Sequence, residues 1–345
     1  MAFLDQVNTI ATKIIAPGVV DNIGKSGPLM AALRKNCSKT WEGFQLQENL
    51  LYGLLNGQTY APGSPFNVNQ VQVATGATFT PRYYIVPVPV VLEQVLVEMN
   101  GPTAKFDHVD MQLQTAAITM GAMLAVDCYK HGQNVTTDRT LKINGLEEAY
   151  NDGTNAGPMS ATFTTYGTLT RNAEVESALN SPMTGPTANV NGAISMSALE
   201  QAWQSVQYGT EKCDLITCSN NAYSYIKLAF ASQQRFESTD GQFGFKNIAF
   251  NGSEIIADRY APGTYSPTTR EAAVLGMAAL TGETIWFHNT KYLRFYISNQ
   301  PLMAFGLEPF IPANDSSLLV AKYRFAGTLT STSNRMGRVL FGISA

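Results

Sequence analysis

The chain has 345 residues, of which 14% are charged, and its formal net charge is −3 from 23 Lys and Arg against 26 Asp and Glu. A weakly acidic chain of this kind lacks the basic stripe of a sequence-independent nucleic-acid binder. Its polar surface comes mostly from Asn, Gln, Ser and Thr, a composition that favours surfaces buried in extended protein contacts over surfaces that face only water.

The first residues and the cysteines indicate the cellular compartment in which the chain is made. MAFLDQVNTIATKII has no basic leader and no cleavage site, and no apolar run approaches membrane-spanning length. We therefore expect a protein that is made in a cytoplasm and has no membrane partner. The cysteines occur without a CxxC pair, which predicts reduced thiols and no metal site; they are Cys37, Cys128, Cys213 and Cys218.

Residues 1–44 are loosely patterned. Glycines and prolines, Gly27 and Pro28 among them, interrupt any helical repeat. The pattern predicts an extended N-terminal arm with one short helix.

Residues 45–92 indicate a long two-stranded arm that cannot bury itself against its own domain. One strand is predicted from Thr40 to Leu55 and the second from Thr78 to Val91, TFTPRYYIVPVPVV. Pro87 and Pro89 lack the backbone donor, so the second strand can pair along only one side. A polar tip rich in Gly and Pro joins the strands. Such a lightly packed hairpin is marginal alone, so we expect neighbouring copies to stabilise it.

A long helix is predicted from residue 107 to 131. Asp107 precedes it, and its apolar residues recur at spacings of four and three. Abundant Ala and Met leave little bulk on the other faces, so the helix can have neighbours on more than one side. The predicted buried stripe consists of Val109, Leu113, Ala116, Met120 and Leu124.

Beyond residue 143 short helices and strands alternate without regular βαβ spacing, which predicts an α+β fold. An S-x-x-E capping box is predicted at Ser197 to Glu200. Asn251-Gly252 between two β-rich runs is the strongest hairpin signal, and a second hairpin is predicted to turn near Asn289. Two more strands follow, in SLLVAKYRFAGTL and GRVLFGI.

Several strings in this order resemble the major capsid proteins of tailed double-stranded DNA bacteriophages, the Hong Kong 97 fold. None of them is catalytic, and with the hairpin and the long helix they cover nearly the whole chain past residue 40. The strings are INGLEEAYNDGT at 143–154, YGTLTR at 166–171, LEQAW at 199–203, QQRFESTDGQFGFKNIAFNGSEIIAD at 233–258 and WFHNTKYLRF at 286–295.

The resemblance implies a domain organisation. Residues 1–44 correspond to the N-terminal arm, 45–92 to the extended loop and 93–210 to the peripheral domain with its spine helix at 107–131. The axial domain, which packs around capsomer axes in that family, corresponds to 211–298. Residues 299–345 are expected to return to the peripheral domain.

The resemblance also implies function and partners. It predicts a shell subunit that forms pentamers and hexamers, encloses packaged DNA without sequence-specific contacts, and works with portal, scaffolding and decoration proteins. Its location is the virion, after assembly in the bacterial host cytoplasm. Some relatives join subunits through a lysine on the extended loop, but this chain has no lysine between Lys39 and Lys105. We therefore predict a shell closed by non-covalent contacts.

Four loop residues are predicted to contact an adjacent subunit and not their own core. A planar cation beside large amphipathic side chains is typical of interface hot spots. These residues are Arg82, Tyr83, Tyr84 and Ile85.

Other functional classes have weaker support. His108, His131 and His288 lie in no catalytic motif, and GQFGF precedes a strand, so neither predicts an active site, metal or cofactor. Glu147, Glu148, Asp107, Asp110 and Asp127 are predicted to be solvated or capping groups. A tail or decoration module would show repeated short strands throughout, which the two long helical patterns oppose. Encapsulin compartments share the fold, and the sequence leaves that alternative open.

Overall fold

A computed structural model describes residues 27–51, 53–65, 68–91, 93, 108–130, 142–171, 188–231, 238–240, 246–312 and 317–345. The helices in these residues are α1 (Pro28–Asn36), α2 (His108–Tyr129), α3 (Leu146–Ala149), α4 (Met196–Ser205), α5 (Asn220–Ala231) and α6 (Thr269–Leu275).

Strands are distributed along the whole described chain. They are β1 (Ser38–Trp41), β2 (Leu46–Leu51), β3 (Ala74–Phe79), β4 (Arg82–Val91), β5 (Thr165–Tyr166), β6 (Leu169–Thr170), β7 (Asn189–Ala193), β8 (Leu215–Cys218), β9 (Ser238–Asp240), β10 (Lys246–Phe250), β11 (Ser253–Ala257), β12 (Glu283–His288), β13 (Leu293–Ser298), β14 (Ala304–Pro312), β15 (Leu318–Ser331) and β16 (Arg338–Ser344).

The long strand β15 organises a five-stranded sheet in the described part of the chain. It pairs antiparallel with β4, β13 and β14, and β1 adds parallel to β13. The long helix α2 lies against β4 and β15. Aromatic side chains fill the space beneath the sheet, with Phe295 and Phe325 stacked at 5.7 Å between ring centroids. This sheet and helix form the first core of the molecule.

A seven-stranded sheet builds the second core. Its order is β7-β16-β12-β8-β11-β10-β9. Every residue of β12 is buried, because the strand lies in the middle of the sheet with α4 and α5 packed nearby. Apolar residues such as Leu199, Ile226 and Leu340 belong to this cluster. The combination of mixed sheets and separate helices confirms the predicted α+β class.

The predicted turn at Asn251-Gly252 is confirmed. It joins β10 to β11, whose register places Phe250 opposite Ser253. Asn251 has φ 49° and Gly252 has φ 83°, the left-handed backbone that a two-residue hairpin turn requires at both positions.

The described part of the predicted arm, residues 27–44, contains the one short helix that the sequence predicts, α1, but it packs into the body and Pro28 has a different role from the predicted one. Pro28 begins α1 and does not interrupt a helix, because proline at the first helical position loses only a donor that has no helical partner. Leu29, Met30 and Leu33 of this helix are buried, and β1 follows in the five-stranded sheet. Residues 1–26 lie outside the described residues.

Two pairings that local sequence predicts are replaced by distant ones. The hairpin near Asn289 does not form, because β12 belongs to the seven-stranded sheet while β13 belongs to the five-stranded sheet. Residues 299–345 are divided between the two sheets, and their predicted return to the peripheral domain stays a prediction. β14 and β15 lie in the five-stranded sheet, but β16 pairs with β12 and β7 in the other.

The start of α4 also differs from the prediction. The cap is Ser195, whose Oγ accepts a hydrogen bond from the Ala198 backbone N–H at 3.1 Å. Ser197 already lies inside the helix, so the box with Glu200 does not form. A complete capping box exists instead at Thr268 and Glu271, at the start of α6.

Candidate assembly surface

The extended loop is a hairpin of β2 and β3. Their antiparallel register runs from Leu46 opposite Phe79 to Leu51 opposite Ala74, and one more hydrogen bond joins Gly53 N–H to the Val73 carbonyl at 3.2 Å. We call residues 46–51 and 74–79 the root of the loop and residues 53–73 its tip. The single predicted strand from Thr78 to Val91 is thus two strands, because the chain leaves β3 at Phe79 and joins β15 only from Arg82 onward.

A buried carboxylate fixes the root to the five-stranded sheet. Glu48 on β2 is 4% exposed and accepts hydrogen bonds from Arg294 Nη1 at 2.8 Å, Tyr296 OH at 2.7 Å and Thr330 Oγ1 at 3.3 Å. Charge-assisted bonds of this kind are stronger than neutral ones. One side chain therefore holds the direction in which the hairpin leaves the body.

A second contact holds the other strand of the root. Phe79 is fully buried and lies edge-on to Tyr166 with 5.2 Å between ring centroids, and the Thr78 N–H donates to the Gly167 carbonyl at 2.7 Å. Gly167 has φ 53°, and a Cβ there would come within 2.5 Å of the Phe79 ring. The YGTLTR string is therefore a structural support for the loop.

The tip has a different character from the root. Several of its described apolar side chains face outward: Leu54 is 91% exposed, and Leu55 and Tyr60 are also exposed. The chain has no charged residue from Asn49 to Pro81. Binding residues lie disproportionately on surface loops, and contiguous exposed apolar side chains mark an interaction site. Sequence reasoning expected neighbouring copies to stabilise this hairpin but named contact residues only at 82–85, and it did not use the absence of charge in the tip, which is visible in the sequence.

Because side chains alternate between the two faces of β4, the four predicted interface residues do not share one face. Tyr83 is 67% and Ile85 48% exposed, and with Pro87 and Pro89 they form one outward row. The prediction is wrong for Tyr84, which points to the other face of the strand and into its own core. Arg82 is half-buried. For Arg82, Tyr83 and Ile85 the contact with an adjacent subunit stays a prediction.

Tyr84 is part of a buried polar cluster. Its hydroxyl donates to Asp127 Oδ2 at 2.9 Å and accepts from the Ile143 N–H at 2.9 Å, while Lys142 Nζ lies 3.1 Å from Asp127 Oδ1. Burial raises the pKa of Tyr84, and the charge of Asp127 raises it further. This cluster ties β4 to the end of α2.

The predicted stripe of α2 faces β4 and β15. Ala116, Met120 and Leu124 are buried, while Val109 and Leu113 are half-buried against the apolar cluster that Val88 and Val90 of β4 form. The last turns of α2 are buried on all sides. Asp107 and His131, the predicted ends, lie outside the described residues.

The residues that were weighed as catalytic have structural surroundings. His288 is buried between Tyr150 OH at 3.0 Å and Thr217 Oγ1 at 2.8 Å, and burial lowers its pKa to about 3. Glu147 and Glu148 are buried in α3, so the expectation of solvated or capping side chains is wrong for this pair. Glu147 accepts from the Met159 N–H.

Other residues that were weighed as catalytic groups lie partly or wholly outside the described residues. The side chains of His108 and Asp110 and all of GQFGF lie outside the described residues. Asp127 is buried in the cluster with Tyr84, and not solvated.

The four thiols are separate and buried. Burial raises the pKa of Cys37 and of Cys213 to about 12, and it also raises the pKa of Cys128 and of Cys218. In the described residues, no group of three His, Cys, Asp or Glu side chains is placed to hold a metal ion. Within the same ranges, none of the helices has the length and apolar character that crossing a membrane requires.

Comparison by sequence finds no family model and no curated protein that matches the chain. Comparison by structure finds many similar chains. One belongs to the capsid asymmetric unit of cyanophage A-1(L), with a TM-score of 0.65, 13% identity, and 98% of this chain and 99% of that chain covered.

Two further structures cover nearly the whole chain. The capsid of a native GTA particle has a TM-score of 0.61 and 10% identity, with 96% of each chain covered. The holo-SrpI encapsulin complex from Synechococcus elongatus PCC 7942 has a TM-score of 0.59 and 11% identity, with 99% of this chain and 95% of that chain covered. These likenesses confirm the predicted fold, the Hong Kong 97 architecture that capsid and encapsulin shells share.

Proposed function

We propose that this chain is a major capsid protein, the subunit of an icosahedral shell that self-assembles from pentamers and hexamers around packaged double-stranded DNA. The observation that supports it most is the extended loop. Its root is fixed by Glu48 and Phe79, while its uncharged tip exposes Leu54 and Leu55 without a cover in the described chain. A loop of this form gains its partner only when copies assemble.

Assembly energetics follow from this arrangement. Docking the tip removes apolar surface from water and desolvates no charge, so each contact is favourable but modest. Repetition around closed symmetry converts many modest contacts into a stable particle. Ordering a loosely held tip costs conformational entropy, which keeps the free subunit soluble until several contacts form together.

The partners of the shell belong to the same proposal. The fold occurs in phage capsid and head structures, which supports a virion component that is assembled in the bacterial host cytoplasm. Portal, scaffolding and decoration proteins are the expected protein partners. DNA is contacted without sequence readout, which agrees with the weakly acidic net charge of −3.

The proposed role is structural and not enzymatic. Among the cysteine and histidine side chains that the structure describes, the four thiols are buried with raised pKa values, and the imidazole of His288 is enclosed by two hydroxyl partners. A general base or nucleophile needs access to its substrate. These side chains stabilise the two cores.

An encapsulin compartment is the second candidate, because the match with the encapsulin complex from Synechococcus elongatus covers 95% of the encapsulin chain. The two candidates differ in content. A capsid holds DNA, and a compartment holds a cargo enzyme. Nucleic-acid staining and mass spectrometry of purified particles separate them, and neighbouring terminase and portal genes would favour the capsid.

Electron microscopy of the purified protein tests the proposal. We expect closed shells or capsomers, whereas a small monodisperse particle would overturn it. The role of the tip is tested by replacing residues 54–72 with Asn-Gly, which leaves Gly53 and Val73 joined by a two-residue turn. This variant should fold with an unchanged unfolding profile and fail to close shells. Normal shells from it would show that the tip is not an assembly element.

A further inference from the structure

We propose that Asn56, in the tip of the extended loop, is a spontaneous modification site, where the side-chain amide is converted to a carboxylate in the free subunit. Asn56 precedes Gly57, and this pair is one of five Asn-Gly pairs in the chain. Four of the five lie within the described residues. Of these four, only the pair in the tip is exposed and lies outside every helix, strand and hairpin turn. The modification is independent of the proposed function, but its consequence for assembly rests on that function.

The reaction uses only the chain itself and water. The backbone nitrogen of Gly57 loses its proton to hydroxide and attacks Cγ of Asn56, and Nδ2 leaves as ammonia, which closes a five-membered imide ring. Water then adds to one of the two ring carbonyls. Opening the bond between the ring nitrogen and Cγ gives aspartate, and opening the bond to the main-chain carbonyl carbon gives isoaspartate. Either route consumes one water, releases one ammonia and leaves one carboxylate.

The tip leaves this pair unhindered. Both residues are exposed, and apart from the adjacent residues no atom lies within 4 Å of the position that a Cβ would take at Gly57. Because glycine lacks that Cβ, its backbone nitrogen can approach a neighbouring group closely. In the described part of the chain the Asn56 amide has no hydrogen-bond partner that would hold Cγ away from the Gly57 nitrogen. Exposure also supplies the water for the second step.

Two of the other described pairs are restrained by burial or by a closed turn. Asn144 is 1% exposed, and a Cβ at Gly145 would come within 1.6 Å of the Lys130 carbonyl oxygen, so water reaches neither residue of that pair. Asn251 forms the two-residue turn between β10 and β11. Its Nδ2 donates to Glu200 Oε2 at 2.7 Å, which holds the amide away from the backbone nitrogen that would attack it.

The fourth described pair, Asn191-Gly192, belongs to β7. Its register with β16 places Gly192 opposite Ile343, and ring closure would have to detach this part of β7 from the sheet. The structure therefore ranks the four pairs. Asn56 reacts first, Asn191 and Asn251 react slowly, and Asn144 reacts only after unfolding.

The modification puts the first charge into the tip. No charged residue occurs from Asn49 to Pro81, and Asn56 directly follows the exposed side chains of Leu54 and Leu55. An unpaired carboxylate costs more to bury than an amide does. Under the proposed function, a modified subunit therefore docks its tip poorly. The site then limits the time for which a free subunit stays able to assemble.

Peptide mass spectrometry of the unassembled subunit tests the modification. The folded subunit is incubated at mildly alkaline pH, digested at intervals and analysed for the mass gain that the exchange of an amide for an acid produces. We expect the Asn56 peptide to change first and to contain both aspartate and isoaspartate, with the Asn251 peptide as internal control. In urea the pairs should react at similar rates, because only the fold distinguishes them. No change at Asn56, equal rates in the folded subunit, or a ranking that persists in urea would overturn the proposal.

Variants test the consequence for assembly. Asn56→Asp introduces the charge directly and should reduce the yield of shells, whereas Asn251→Asp adds the same charge at a turn that accepts Asp-Gly and should assemble normally. Subunits aged before assembly should lose yield in step with conversion, and aged Asn56→Gln subunits should keep it. Full yield from Asn56→Asp would refute the effect on assembly. Conversion at Asn56 in a chain that never forms particles would instead refute the proposed function and leave the modification site standing.

Discussion

Replacing Tyr84 by Phe tests whether this residue belongs to the subunit core. The change removes one oxygen atom and keeps the ring that lies edge-on to Phe325 with 6.1 Å between centroids. Two buried groups lose their partner: Asp127 Oδ2, which accepts at 2.9 Å, and the Ile143 N–H, which donates at 2.9 Å.

The expected cost follows from these two groups. A buried polar group left without its hydrogen bond costs about 1–3 kcal/mol. Asp127 keeps the ion pair with Lys142 at 3.1 Å, so the cost of its lost hydrogen bond lies at the lower end of this range. The Ile143 N–H has no such substitute. We expect Tyr84→Phe to lower the free energy of unfolding by about 2–4 kcal/mol.

Urea unfolding of the unassembled subunit measures this free energy. Tyr83→Phe is the matched control, since Tyr83 is 67% exposed on the opposite face of the strand and should leave the unfolding curve unchanged. A Tyr84→Phe subunit as stable as the unaltered one, with a defect confined to assembly, would refute the core assignment.

Three further outcomes are expected. Glu48→Gln should leave the body folded, cost about 1–2 kcal/mol and speed proteolysis of the tip; unchanged cleavage rates would contradict its role at the root. The pKa of His288 is about 3 in the folded chain against about 6.5 when unfolded, so the unfolded state binds the proton first. The contribution of His288 to the free energy of unfolding is therefore fully present above pH 6.5. It declines as the pH falls toward 3, by up to about 1.4 kcal/mol per pH unit. His288→Gln should remove that slope from urea unfolding curves recorded between pH 7 and 4, and a parallel slope in the variant would contradict it. Finally, since the chain lacks lysine between Lys39 and Lys105, particles boiled in detergent should give one band near 37.4 kDa, and a ladder that survives reductant would show covalent joining.

Elements whose signals lie within a few residues were predictable from sequence. The Asn251-Gly252 turn needs only two residues with left-handed backbone, and the structure has both. The long helix from His108 to Tyr129 follows from sustained apolar spacing. Such features depend on local sterics and on one buried face, which the residues themselves specify.

Sheet membership was not predictable in the same way. TFTPRYYIVPVPVV has one uniform composition, yet it is split between the hairpin and the five-stranded sheet near Pro81. Likewise β12 and β13 are adjacent in sequence but pair with strands of different sheets. Pairing depends on distant partners such as β15 and β16, and a strand's own residues specify only which face is apolar.

The candidate site shows the same limit at the level of single side chains. Composition alone made Tyr83 and Tyr84 equivalent, and both were assigned to an interface. Strand alternation places them on opposite faces, and only the position of α2 decides which face is the core. The uncharged tip was the opposite case, because its signal was in the sequence and needed the structure to show that its leucines face outward.

Under the proposed function, the contrast between root and tip would let one chain be both a stable subunit and a reversible building block. At the root, Glu48 has three hydrogen-bond donors and Phe79 is fully buried, so the direction of the loop is fixed before assembly. At the tip, apolar contact area is available but unused. A preset direction lowers the entropy lost on docking, and in the proposed shell a contact made by a few apolar side chains is modest enough to dissociate and correct misplaced subunits. Strengthening the tip contact should therefore trap incomplete shells, and strengthening the root should not.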